Sequence, residues 1–140
     1  MDIKLAQTPD EVLEIMKLKE DDIEDYIEGS KSEFIQWIIS SYRVPFDQRK
    51  IFTWVVFEDK ELKAYMIMMD GRLYPLTNCL FILYVYSKLG PKKSKEAFDF
   101  IADWARRGKV ESFVAATRIP SVLEKYGFTK KDITTMILEL

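Results

Sequence analysis

The stretch that most limits how this chain can fold is CLFILYVYS, Cys79 to Ser87. It shows no alternation of apolar and polar residues, is rich in β-branched and aromatic side chains, and is too short to cross a bilayer. A strand apolar on both faces needs cover on both, from helices on either side or from a helix and a second layer. The remainder of the chain has to provide those layers.

Residues 2 to 6 form a short edge-strand candidate, followed by TPDE, which places Thr8 as N-cap, Pro9 at the first helical position and Glu11 three residues after the cap. That is a capping box, and the helix it starts has Val12, Leu13, Ile15 and Met16 as its apolar face. The acidic run from 19 to 29 reads as a solvated helix or loop, with Ile23, Tyr26 and Ile27 at helical spacing. In SEFIQWIISSY, 32 to 42, Phe34, Ile35, Ile38 and Ile39 share one side of a second helix, which Pro45 ends. The period then changes. IFTWVVFEDKELKAYMIMMDG reads as an antiparallel hairpin turning at Asp59 and Lys60.

Beyond the apolar strand, Gly90 and Pro91 open a helix in which Phe98, Ile101, Ala102 and Ala105 recur at i, i+3, i+4 and i+7, with Gly108 as the C′ residue. VESFVAAT (110–117) is a further strand, PSVLEKYG a short helix and ITTMILEL (133–140) a final strand. The order β-α-α-β-β-β-α-β-α-β specifies an α+β fold in α/β/α layers, a mixed sheet flanked by helices. With 140 residues, 48% of them hydrophobic, and no linker-like segment, residues 1–140 form a single domain.

Charge and composition remove several classes of function. A net charge of −2 gives no global field to recruit nucleic acid or an acidic membrane, so nucleic acid is not an expected partner. With no histidine and Cys79 as the single cysteine, an internal disulfide, a His-based zinc site and a His-based triad are excluded, and no metal is expected. No apolar run is long enough for a membrane anchor, which places the protein in the cytoplasm. Trp37, Trp54, Trp104, Phe98 and Phe100 sit at core spacings. Met66, Met68 and Met69 fill core, or else line a substrate groove or a dimer contact. Cys79 is a small buried residue rather than a nucleophile.

One feature resists a purely structural account. Lys88, Lys92, Lys93 and Lys95 gather at a helix start, where the dipole is positive. Either an anion docks there or the lysines are solvated.

The order of elements, together with the words ILYVYS, AFDFIADWARRGKVESFVAAT and LEKYGF, resembles the GNAT superfamily of acyl-CoA-dependent N-acyltransferases. The resemblance spans essentially the whole chain and implies a mostly antiparallel mixed sheet. It also implies acetyl-CoA or CoA as cofactor, with the backbone of Leu83 and Val85 along the pantetheine and Gly90, Lys92, Lys93, Ser94 and Lys95 at the phosphates. The acceptor would be a small-molecule amine. Three departures bear on activity. The family's phosphate-loop pattern, Arg/Gln-x-x-Gly-x-Gly/Ala, falls on Gly90, Lys93 and Lys95, so its glycines are missing. The family's acidic tyrosine falls on Leu123, which leaves Tyr126 as the catalytic candidate, and the central strand holds no carboxylate to act as base.

The lysines then have three readings: side-chain capture of CoA phosphates, capture of another anion, or a solvated loop that no longer binds CoA. The expectation is a GNAT-fold protein with a degenerate site and impaired or absent activity. The alternatives are an active N-acyltransferase using its lysines, or a structural or host-interaction module with a protein partner. ATRIPSVLEKYGF is also similar to words in diverged GNAT-like proteins of bacteriophages, which would place the protein in host cytoplasm or virion, as monomer or homodimer.

Overall fold

Asp59 and Lys60 both take left-handed backbone, φ 54° and 64°, as a two-residue hairpin turn with right-handed strand twist requires. They join β2 (Ile51–Glu58) to β3 (Glu61–Leu73), the expected hairpin. A computed structural model describes residues 1–17, 31–73, 76–115, 120–130 and 138–140. Its other elements are β1 (Asp2–Leu5), α1 (Pro9–Leu13) with a 3₁₀ turn over Glu14–Lys17, and α2 (Lys31–Ser40) with 3₁₀ turns at Ser41–Arg43 and Phe46–Gln48. After the hairpin come β4 (Leu76–Ser87), α3 (Pro91–Arg107), β5 (Ser112–Ala115) and α4 (Pro120–Glu124).

The strands stand in the order β1-β2-β3-β4-β5, antiparallel throughout except for the parallel pair β4–β5. The long helix α3 between β4 and β5 is what allows a parallel neighbour, since a short turn cannot return the chain in the same direction. Alternate strand residues feed two cores. Val55, Leu62, Tyr65, Ile67 and Tyr86 pack under Val12, Ile15, Phe34, Ile35 and Ile38 of the α1/α2 layer. Trp54, Met66, Met68 and Leu80 pack under Ile101 and Ala105 of α3. The mixed sheet with helices on both faces is thus the α+β architecture expected.

Local details depart from expectation. The reciprocal capping box does not form: Glu11 Oε1 accepts from the Gln7 amide (3.3 Å) and the Thr8 hydroxyl (3.4 Å), and Thr8 makes no side-chain cap bond. Leu13 is exposed while Val12 and Ile15 are buried, because so short a helix turns only part of its surface to the sheet. Gly108 has ordinary backbone (φ −84°), and Lys109 takes the left-handed position at φ 63°. Trp54 is buried, but Trp37 and Phe100 remain 38% and 45% exposed, Trp37 with its ring beside Tyr84 of β4 and Phe100 with its ring edge-on to Trp54 of β2. The strand expected over 110–117 covers Ser112–Ala115, and residues 116 and 117 lie outside the described residues. So do the acidic run from 19 to 29 and residues 133–137 of the expected final strand, while 138–140 carry no strand.

Candidate functional site

β4 has two halves with different surroundings. From Cys79↔Ser112 to Ile82↔Ala115 it is paired on both sides, to β3 and to β5. At Leu83 the register with β3 shifts: Ile67 pairs with Tyr84 and Met68 with Ile82, so Leu83 is the extra residue of a β-bulge. From there to Ser87 the strand keeps β3 on one side, through Tyr84↔Ile67, Val85↔Met66, Tyr86↔Tyr65 and Ser87↔Ala64. Among the described residues it has no strand on the other side. Val85 is exposed on this part of the strand.

Serines shape the turn into α3. Ser87 Oγ accepts from the Leu89 amide (3.1 Å) and lies 2.9 Å from Ser94 Oγ, which also donates to the Leu89 carbonyl (3.3 Å). The Lys88 amide donates to the Lys63 carbonyl (2.7 Å), fixing the turn to β3, and Leu89 packs with Val56, Ala64 and Ala97. Gly90 is the N-cap without side-chain capping, and Pro91 follows at the first helical position. Helical bonding starts with the Ser94 amide on the Gly90 carbonyl (2.9 Å), so the Lys92 and Lys93 amides precede it and have no partner within the helix. A Cβ added at Gly90 would meet nothing within 4 Å, so the space beside the turn is open.

The lysines divide. Lys93 Nζ lies 2.5 Å from Glu58 Oε2 at the end of β2. That hydrogen bond holds the Glu58 carboxyl below its usual range and raises the Lys93 ammonium above its own. Lys95 Nζ meets Asp99 Oδ1 one turn along α3 at 2.6 Å and stands 5.7 Å from the Phe98 ring and 5.9 Å from the Tyr126 ring. Lys92 makes no ion pair or hydrogen bond among the described residues.

Tyr126 follows α4 in a turn completed by Gly127 at φ 92°, and its ring meets Phe98 with centroids 5.1 Å apart. Leu123, at the position counted for an acidic tyrosine, contributes its carbonyl to that turn, accepting from the Tyr126 amide (2.9 Å). The fold therefore places Leu83 and Val85 on the bulged stretch of β4 beside β3, and Gly90, Lys92, Lys93 and Ser94 at the start of α3. Lys95 and Tyr126 come together over Phe98. Sequence reasoning missed the Leu83 bulge, Ser87 and Glu58. Ser87 was findable, since a serine closing a strand two residues before a loop amide is a common turn partner. Nothing in the spacing marks Leu83 or Glu58.

The architecture matches solved structures over nearly the full chain. A possible acetyltransferase from Clostridium difficile 630 superposes with a TM-score of 0.77 at 14% identity, covering 99% of this chain and 97% of that one. The fold is that of the GNAT acetyltransferases. The same GNAT fold is found in ribosomal-protein-alanine N-acetyltransferase from Brucella melitensis biovar Abortus 2308, with a TM-score of 0.70 at 15% identity and all of both chains covered. It is found again in AAC(6')-Iy in complex with the bisubstrate analogue CoA-S-monomethyl-acetylneamine, with a TM-score of 0.76 at 8% identity over 99% of this chain and 97% of that one. No protein-family model matches the sequence, and no curated protein matches it significantly. Among the described residues, no group of three His, Cys, Asp or Glu side chains is placed to hold a metal ion, and no helix is long and apolar enough to cross a membrane.

Proposed function

We propose that this chain is a weak acyl-CoA-dependent N-acyltransferase that works by approximation of its two substrates, without a dedicated side-chain acid or base. The observation that carries this reading is the bulged stretch of β4 from Leu83 to Ser87, which among the described residues pairs with β3 alone and leads into a helix start without side-chain capping. The donor substrate, an acyl thioester of CoA, supplies an activated acyl group on an extended amide-bearing arm and a diphosphate. Backbone groups around Leu83 and Val85 suit such an arm, because an open strand edge pairs with extended amides. The free amides of Lys92 and Lys93, with the Lys92 ammonium, suit the phosphates. The paired section of β4 closes the slot at Ile82, so the acyl end rests near the bulge.

Orientation of two bound reactants is itself worth a large factor in rate, which allows transfer with no carboxylate on β4. Weakness follows from the turn. Lysines stand where glycines would let the backbone close on a diphosphate, and Lys93 and Lys95 are already engaged by Glu58 and Asp99. Tyr126 is the available hydroxyl, and comparing Tyr126→Phe with wild type measures any part it takes in the reaction.

The same internal ion pairs favour a second reading, a binding module that has lost its donor. Calorimetric titration with acetyl-CoA and desulfo-CoA separates the two. The transferase reading expects micromolar binding that disappears in the Lys92→Glu, Lys93→Glu, Lys95→Glu triple variant. Absence of heat at millimolar ligand would leave the module.

A further inference from the structure

On the α1/α2 side of the sheet, the residue after the bulge begins an aromatic wall. Tyr84 meets Phe34 edge-on with centroids 5.0 Å apart and Trp37 at 6.3 Å, and Phe34 and Trp37 stack at 6.3 Å with 24° between their planes. Phe34 is buried at 5% and packs into the core, so it holds the other two rings in place. Trp37 remains 38% exposed, although α2 buries Phe34, Ile35 and Ile38 beside it. Tyr86 extends the same face of β4 inward. It is 8% exposed, and its hydroxyl has no hydrogen-bond partner among the described residues.

We infer that Phe34, Trp37 and Tyr84 form the acceptor wall, and that the acceptor is a primary amine with an aromatic body, an arylalkylamine, rather than a polycation. This rests on the donor reading above. An acyl carbon near Leu83 requires the attacking nitrogen within a few ångström of the bulge, and on the α1/α2 side the aromatic surface next to Leu83 is Tyr84 with Trp37 against it. A planar apolar body gains from stacking on a pre-positioned indole. A polycation would have to strip water from several charges against the same rings.

The wall also bears on the missing base. An ammonium pressed against these rings loses solvation, which lowers its pKa against the opposing pull of the ring faces on a cation, and the fall raises the share of neutral, nucleophilic amine. The nitrogen lone pair forms the amide bond while the thioester C–S bond breaks. The bonding pair leaves on sulfur, and the proton lost by nitrogen ends on the thiolate. The products are the N-acyl amine and free CoA thiol.

Two measurements test this. The first is quenching of Trp37 fluorescence by phenethylamine without donor, taken as the difference between wild type and Trp37→Phe. Saturable quenching by phenethylamine and none by spermidine is expected, and its absence overturns the inference whatever becomes of the donor reading. The second is thiol release from acetyl-CoA with each amine. Phenethylamine should be preferred, and Trp37→Ala should raise its KM about tenfold with a much smaller change in kcat. Trp37→Leu, which keeps apolar bulk, guards against a misfolded alanine variant. Equal use of spermidine, or an unchanged KM in both variants, overturns the inference. Quenching without any acetyl-CoA binding would keep the amine site and sink the transferase reading instead.

Discussion

Tyr42 shows how much a single side chain can carry between layers. Its hydroxyl donates to the Ala6 carbonyl at 2.9 Å, tying the end of α2 to the segment after β1, while the Arg49 guanidinium sits 4.4 Å over its ring. Burial pushes its pKa up to about 12, with Arg49 partly opposing the rise. The neutral form is therefore favoured by folding: stability from this group is complete below 10.0 and is lost as pH climbs toward about 12. Chemical denaturation across that window should show a steeper decline in wild type than in Tyr42→Phe, and at neutral pH the variant should be less stable by about 1 kcal/mol for the missing bond. Sequence shows such a tyrosine only as an aromatic near a helix end, because its acceptor is 36 residues away. The end of α3 repeats the lesson. Lys109 donates to the Arg106 carbonyl and Val110 to that of Ala105, both at 2.9 Å, and Val110 joins the α3 core. Those bonds set the left-handed residue one position later than the glycine suggests.

Among elements, the contact that matters most for the proposed donor site is the clasp between the β2 end and the α3 start. Glu58 and Lys93 are 35 residues apart in sequence, and only the hairpin turn at Asp59 and Lys60 brings the carboxylate to the helix. Glu58 titrates below its ordinary value of 4.5, so its contribution exists above that pH and fades as pH falls through the lowered one. Lys93 is raised above its ordinary 10.5, so its contribution exists below that pH and fades as pH rises through the raised value. The clasp thus operates across the whole neutral range. Glu58→Gln should melt below wild type at neutral pH and match it in strong acid, with added salt narrowing the difference. A carboxyl titration of Glu58 by NMR at or above 4.5 would contradict the clasp. Element type was legible because periods of 2 and 3.6 are written in the side chains: the β2–β3 hairpin and α3 both stand where the pattern put them. The bulge at Leu83 was not, since an extra residue inside a uniformly apolar strand shifts the register without altering the composition.

For the whole molecule, the decisive property is that one strand belongs to two environments. CLFILYVYS announced cover on both faces, and both cores exist, yet within its second half Val85 is exposed while Tyr86 is buried. Which strand lies beside each part of β4 is a tertiary fact that no local pattern contains. The consequence is measurable without knowing the acceptor. Amides from Cys79 to Ile82, bonded between two strands, should exchange hydrogen slowly. Peptides covering Leu83 to Ser87, paired among the described residues with β3 alone, should exchange faster. Acetyl-CoA laid along that stretch would supply further partners, so exchange mass spectrometry with saturating donor should slow the second group and the start of α3 while leaving the first group unaltered. Uniform slowing across the chain would mean general stabilisation by binding elsewhere. Unequal rates that ignore the donor would keep the uneven pairing of β4 as a property of this fold and remove it from the chemistry.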